Sequence, residues 1–345
     1  MTATATKLVN HIKAKNQIFT KVIVSKFGFS PRAVTTLATK LVADSKPVVK
    51  AKPSKKQILS APDPVSQTKC FYAKTLQNVD IDEIAILYGV ERNLWPSLQL
   101  PENIRSIFAF IFSKILNNVK EHSRSRQMKI LAAVARGVLT VTIEDFGIGI
   151  FRNIMQASRL HTETAAIQEI LKGKVTSIPH QHAGEGLFFA VRAADQFIID
   201  SYGYRVCFRS ARSEIAIEQT KRITLGTKVT FKINLNTKRN LANILKKYLA
   251  ITDDGGYQFN TTEISLKLYA KNRACTSIVE ARHVLYRLEN FKRIKFNYIG
   301  ISKINHEFAN EIYQAFHSNY PEIKLENSNM NCAIKRIIEK ILTRH

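Results

Sequence analysis

Four short stretches hold residue types that could act on a phosphorylated ligand. Asp145 closes the run VLTVTIED and is followed by Gly147 and Gly149 in DFGIG. An ionised carboxylate at the end of a half-buried strand is costly to bury unless something donates to it. The exocyclic amine of an adenine, a ribose hydroxyl or a backbone N–H would each do so. Gly147 and Gly149 can take positive φ and let a ligand approach the backbone, although a strand-ending turn explains the same residues. Asn118, in KILNNVKEHS, carries an amide that could face a cleft and ligate Mg²⁺ beside phosphates. Gly184 and Gly186 of HAGEGLFF directly precede a helical pattern, where free N–H groups and the helix dipole favour phosphate. Gly226 and Thr227 lead into TKVTFKIN.

The elements that would position these residues are legible in the hydrophobic pattern. LPENIRSIFAFIFSKILNNVKEHS (100–123) reads as a long amphipathic helix with Pro101 at its start. QMKILAAVA (127–135) and VLTVTIED (138–145) read as strands joined by a tight turn at Arg136-Gly137. Residues 152–183 are polar and predict irregular structure apart from a helix near 162–172. HAGEGLFFAVRAAD (182–195) opens a helix from a glycine loop, and strands follow near 196–202, 204–210, 213–218 and 226–234.

The rest of the chain alternates strand and helix, which predicts a small α/β domain. NLANILKKYLAITDDGG (240–256) reads as a helix stopped by its Asp-Gly-Gly turn. EISLKLY is a strand, and SIVEARHVLYRLENF starts with a capping box formed by Ser277 and Glu280. IKFNYIG is a strand, INHEFANEIYQAFHSNY a helix with Asn305 as N-cap, EIKLEN a strand, and MNCAIKRIIEKIL a last helix.

The first fifth of the chain differs in character. Residues 1–75 hold fourteen Lys or Arg against Asp44 and Asp63, a net of +12 within a whole-chain charge of +25. Within TKVIVSKFGFSPRAVTTLATKLVADSK (20–46), Ser30-Pro31 starts a helix that buries Val34, Leu37, Ala38 and Leu41. Helix–turn–helix with Gly28 at the bend is an arrangement that presents a second helix to a major groove. Arg32, Thr35, Thr36 and Thr39 would lie on its outer face, with Lys46 opening a basic wing. A helical hairpin with no DNA role is the alternative. Residues 46–68 hold four prolines and read as wing plus linker.

Taken in order, the chemistry-bearing stretches resemble the GHKL superfamily of ATP-binding domains, which includes gyrase B, MutL, histidine kinases and anti-sigma kinases. Helix 102–123 is similar to the N box, DFGIG to the first glycine box, HAGEGLFF to the second and LGT to the last, over about residues 95–235. The resemblance implies a two-layer α/β sandwich of the Bergerat type with ATP between a glycine-rich lid and the sheet. It implies that Asp145 binds adenine, Asn118 holds Mg²⁺, and Gly184 and Gly186 lie near the phosphates, with Gly147, Gly149 and Thr227 completing the pocket. Together with its flanks the chain resembles bacterial regulators in which such a domain precedes a STAS-like domain. The expected organisation is a helix-turn-helix-like domain at 1–58, a linker at 59–75, a GHKL-like domain at 76–238 and a STAS-like domain at 239–345.

One position departs from the family pattern. Hydrolytic members carry Glu four residues before the N-box Asn, as a general base. Lys114 stands there and would add positive charge near the phosphates. The resemblance therefore implies ATP binding with weak or absent hydrolysis, and leaves ATPase or kinase activity open. Glu121, three residues beyond Asn118, is a candidate substitute base. Lys172, Lys174, His180 and His182, in the presumed lid, are candidates to reach phosphates or to form a solvated polar loop.

The expectation is a nucleotide-responsive, DNA-binding regulator with a possible protein partner on the STAS-like domain. The alternatives are a protein Ser/Thr kinase of the anti-sigma type and a degenerate scaffold or effector without catalysis. No run approaches a membrane span, no apolar signal segment opens the chain, and Cys70, Cys207, Cys275 and Cys332 show no ligand spacing. These features place it in a reducing cytoplasm without membrane attachment.

Overall fold

Alternation of apolar and polar residues builds one face of a large antiparallel sheet. In the computed structural model, residues 68–174, 185–221, 223–251 and 257–343 are described. Seven strands follow in the spatial order β1-β2-β3-β7-β4-β5-β6. They are β1 (Thr68–Gln77), β2 (Gln127–Ala135), β3 (Val138–Asp145), β4 (Gln196–Ser201), β5 (Tyr204–Arg209), β6 (Glu214–Gln219) and β7 (Lys228–Asn234). Every neighbouring pair is antiparallel. The chain is thus a mixed α/β structure around a large antiparallel sheet.

Period-two geometry sends successive side chains to opposite faces. Leu139, Val141 and Ile143 of β3 are buried, and the same period carries Asp145 inward with them. Met128, Ile130 and Ala132 of β2 and Val229, Phe231 and Ile233 of β7 extend this face.

Helices cover it. α1 (Glu83–Leu98) precedes α2 (Glu102–His122), which starts after Pro101 and buries Ile104, Phe108, Ile111, Phe112, Ile115 and Val119. The Phe108 ring lies 6.3 Å from that of Phe231 on β7, centroid to centroid. Next come α3 (Ile150–Ala157), α4 (Glu163–Lys172) and α5 (Gly186–Ala193). The expectation of irregular structure after DFGIG fails at α3, while α4 falls on the expected helix. The helix expected over 240–256 is shorter: α6 ends at Lys246 after starting at Leu241.

Strands β8 (Thr261–Ser265), β9 (Arg293–Asn297) and β10 (Lys324–Ser328) form a second sheet, parallel throughout and in sequence order. Parallel pairing requires crossovers. These contain α7 (Ile278–Leu285) and α8 (His306–Asn310), the latter running on through a π-helical stretch at Glu311–Phe316. A last helix, α9 (Cys332–Leu342), packs on α8 and that π-helical stretch. The Ser277–Glu280 capping box is present in full. Asn305 occupies the N-cap of α8 but makes no side-chain cap bond. EISLKLY splits into β8 and a 3₁₀ turn at Leu266–Leu268.

Thr68–Ala250 and Gln258–His345 belong to one contact unit. α4 packs directly on β8, and Thr262 of β8 donates its hydroxyl to the carbonyl of Lys172 at 2.6 Å. The helix-turn-helix reading, with Arg32, Thr35, Thr36, Thr39 and Lys46, lies outside the described residues. No helix among the described residues is long and apolar enough to cross a membrane.

Candidate functional site

Asp145 is 3% exposed at the inner end of β3. Its Oδ1 accepts the backbone N–H of Gly147 at 2.9 Å and that of Thr227 at 3.2 Å. The Thr227 hydroxyl accepts the N–H of Ile150, the first residue of α3, at 2.9 Å. Burial raises the Asp145 pKa above its ordinary value, and hydrogen bonding from Gly147 and Thr227 works against that rise. A carboxylate offers about four acceptor sites. Two are taken by backbone N–H groups at Oδ1, so acceptor capacity remains for a donor such as an exocyclic amine.

The glycines around Asp145 are explained by close approach within the chain. A Cβ on Gly147 would sit 1.8 Å from the Ser123 carbonyl oxygen, where α2 ends. Gly149 has φ +81, and a Cβ there would lie 2.5 Å from the Tyr202 ring. Gly226 has φ +72, and its Cβ would meet the Asp145 carbonyl at 2.3 Å. The DFGIG turn is therefore wedged between the end of α2, the β4–β5 turn and the start of β7. Hydrogen bonds fix the wedge. Ile148 N–H donates to Ser123 O at 2.9 Å, the Tyr202 hydroxyl donates to Gly147 O at 3.0 Å, and the Ser201 hydroxyl donates to Gly226 O at 2.6 Å.

The second half of the site lies higher on α2. Lys114 is 8% exposed, and its Cδ would lie 3.1 Å from a Cβ on Gly186, at the start of α5. Burial lowers its pKa to about 8, while Glu121, Glu83 and Glu185 pull it back up. Lys114 of α2 and the first residue of α5, Gly186, therefore meet. Asn118 is one turn further along the same helix face, half-buried, and its amide makes no hydrogen bond among the described residues. Its neighbour Asn117 is committed elsewhere: with its amide nitrogen turned toward α1, it donates to Ser113 O and to the Glu83 carboxylate. At 1.5 Å per residue, Lys114 lies about 13 Å up the axis from Ser123. The helix thus joins the Asp145 end of the site to the Gly186 end.

Gly184, His180 and His182 lie outside the described residues. Lys172 is at neither end of this site. Its ammonium, 2% exposed, donates to Glu169 at 2.6 Å, to His283 O at 3.0 Å and to Tyr286 O at 2.9 Å. Lys174 donates to Asn290 O at 2.6 Å. Lys172, a candidate for phosphate contacts, instead holds α4 against the segment around the end of α7, and Lys174 adds one bond to that segment. Sequence reasoning also missed Ser123, Ser201 and Tyr202, which clamp the glycine turns; lone polar residues at helix and strand ends give no signal of such roles.

No protein-family model matches the chain, and no curated protein does. Among solved structures, the 43K ATPase domain of Thermus thermophilus gyrase B in complex with an aminocoumarin is similar, at 19% identity and a TM-score of 0.24. The likeness covers 47% of this chain and 44% of that one. A TM-score that low does not establish a shared fold.

Proposed function

We propose that the chain is a regulatory protein that binds ATP with Mg²⁺ and hydrolyses it weakly or not at all. The observation that carries this reading is the buried Asp145, held by the N–H groups of Gly147 and Thr227 with an acceptor direction left over. That direction suits the amine of an adenine. The Asn118 amide supplies an oxygen ligand for Mg²⁺, an ion that typically keeps several waters and shares its shell with substrate phosphates. Among the described residues no group of three or more His, Cys, Asp or Glu could hold a metal alone, so the phosphates would supply the remaining ligands.

Lys114 argues for binding over turnover. A protonated lysine accepts no proton from water, and beside Gly186 its charge favours polyphosphate. Gly184 and Gly186, ahead of α5, would receive the phosphates. The basic first fifth of the chain, with Arg32, Thr35, Thr36, Thr39 and Lys46, is proposed to bind DNA, and the β8–β10 layer to behave as a STAS-like partner domain. Calorimetric titration with ATP–Mg²⁺ tests the nucleotide half. Electrophoretic shifts with mixed duplexes at low salt test the DNA half, and no retarded band would remove it.

A further inference from the structure

Between α4 and the segment that follows α7 lies a cleft of about 420 Å³, the size of a small-ligand pocket. One wall is Glu169, whose side chain is 6% exposed. Its Oε1 accepts the Lys172 ammonium, while its buried Oε2 meets no donor among the described residues. Lys172 cannot supply one, because its three N–H donors go to Glu169, His283 O and Tyr286 O. A buried carboxylate oxygen without a donor is costly, and a donor seated in the cleft would remove that cost.

The rest of the lining specifies more than a donor. Lys174 and Arg287 bring two cations to the cleft, and Glu185 a second carboxylate. Arg287 spends one N–H on Ser158 Oγ at 3.4 Å, which leaves most of its guanidinium fork for an anion. A ligand ammonium suits the Glu169 oxygen that Lys172 leaves without a donor, and a ligand anion suits the guanidinium of Arg287. A molecule carrying both charges satisfies both walls. The buried Phe259 ring adds an apolar surface, and Gln258 and Asn290 add amides.

We propose that this cleft binds a free amino acid, with its ammonium on Glu169 Oε2 and its carboxylate on Lys174 and Arg287. Because one wall belongs to α4 and the other to the β8–β10 layer, the bound molecule would tie the two layers together. The site is independent of the nucleotide reading.

The test is calorimetry on the full chain, without nucleotide, using each free proteinogenic amino acid in turn, with methylamine and acetate as single-charge probes. At least one amino acid is expected to bind, and to bind at least about tenfold more tightly than either single-charge probe. Arg287→Ala, at an exposed position, should weaken that binding about tenfold, as should Lys174→Ala. Glu169→Gln keeps an oxygen for Lys172 but turns an amide toward the ligand, and should abolish it. If Glu169→Gln fails to fold, the Arg287 and Lys174 variants still decide. The proposal is overturned if no amino acid binds, which would leave water as the partner of Glu169. It is equally overturned if methylamine or acetate binds as tightly as the best amino acid, or if Arg287→Ala and Lys174→Ala leave affinity unchanged. ATP titrated into the same sample reports the other site separately.

Discussion

The Asp145 carboxylate and the Thr227 backbone N–H meet at 3.2 Å, and the Asp145 N–H returns a bond to Thr227 O at 2.8 Å. This double tie joins the ends of two adjacent strands, β3 and β7, where the sheet stops and the glycine turns begin. Asp145 is thus a structural clamp as well as a candidate ligand, and its substitutions must separate the two roles.

The clamp has a steric consequence that can be isolated. Gly226 and Gly137 share nearly the same φ, +72 and +71, but a Cβ on Gly226 would lie 2.3 Å from the Asp145 carbonyl while one on Gly137 would meet nothing within 4 Å. Gly137→Ala should cost only the left-handed penalty, about 1–2 kcal/mol. Gly226→Ala should cost about 1–3 kcal/mol beyond that, because the neighbouring backbone must shift. Urea unfolding of the two variants measures the difference, and equal midpoints would show that the turn yields freely.

Lys114 makes stability depend on alkaline pH. Its pKa falls from 10.5 in water to about 8 in the fold, chiefly through burial. Between those values the unfolded chain holds a proton that the folded chain has released, so stability rises with pH across that window. Below pH 8 both states are protonated and the full cost, about 3 kcal/mol, is present. Wild type should therefore gain on Lys114→Met as pH climbs from about 8 to 10.5. Denaturant midpoints against pH for both proteins check this, and parallel curves would contradict it. Deprotonation also removes charge beside Gly186, so ATP affinity should weaken above pH 8 in wild type and stay flat in the variant.

The Lys172–Glu169 pair should matter more than its size suggests. Lys172→Met leaves a buried carboxylate unpaired and two carbonyls near the end of α7 without their donor, for a loss of about 3–5 kcal/mol. Replacing both residues by Met should restore much of that loss, since a well-packed apolar pair avoids the desolvation cost. Chemical denaturation of the single and double variants checks both expectations.

Parts of this arrangement were legible because local pattern decided them. Strict alternation in VLTVTIED fixed the inward face of β3 and therefore the burial of Asp145. Pro101 and the apolar spacing of 104–119 marked α2, and Ser277 with Glu280 marked the start of α7. The misses share a different cause. TKCFYAKTLQ mixes lysines with apolar residues and reads as linker, yet it pairs with β2 as a β1 strand through backbone bonds that need no particular side chains. Lys172 looked like a solvated lid residue because a buried lysine is intelligible only once its acceptors are known. Those acceptors, His283 O and Tyr286 O, lie more than a hundred residues away. The sequence reads Gly147 and Gly149 for the freedom they give a ligand, whereas in the fold they admit the backbone of Ser123 and the ring of Tyr202.

The central claim is that Asp145 presents a remaining acceptor to a nucleotide base. Asp145→Asn retains an oxygen for the Gly147 and Thr227 N–H groups while exchanging a carboxylate for an amide. Calorimetric titration of wild type and Asp145→Asn with ATP–Mg²⁺, after circular dichroism has shown both folded, tests the claim most directly. The account predicts measurable binding by wild type and a loss of about tenfold or more in the variant, matching the 1.5–3 kcal/mol of a hydrogen bond to a charged group. No binding by wild type, or superimposable titrations for the two proteins, would contradict it.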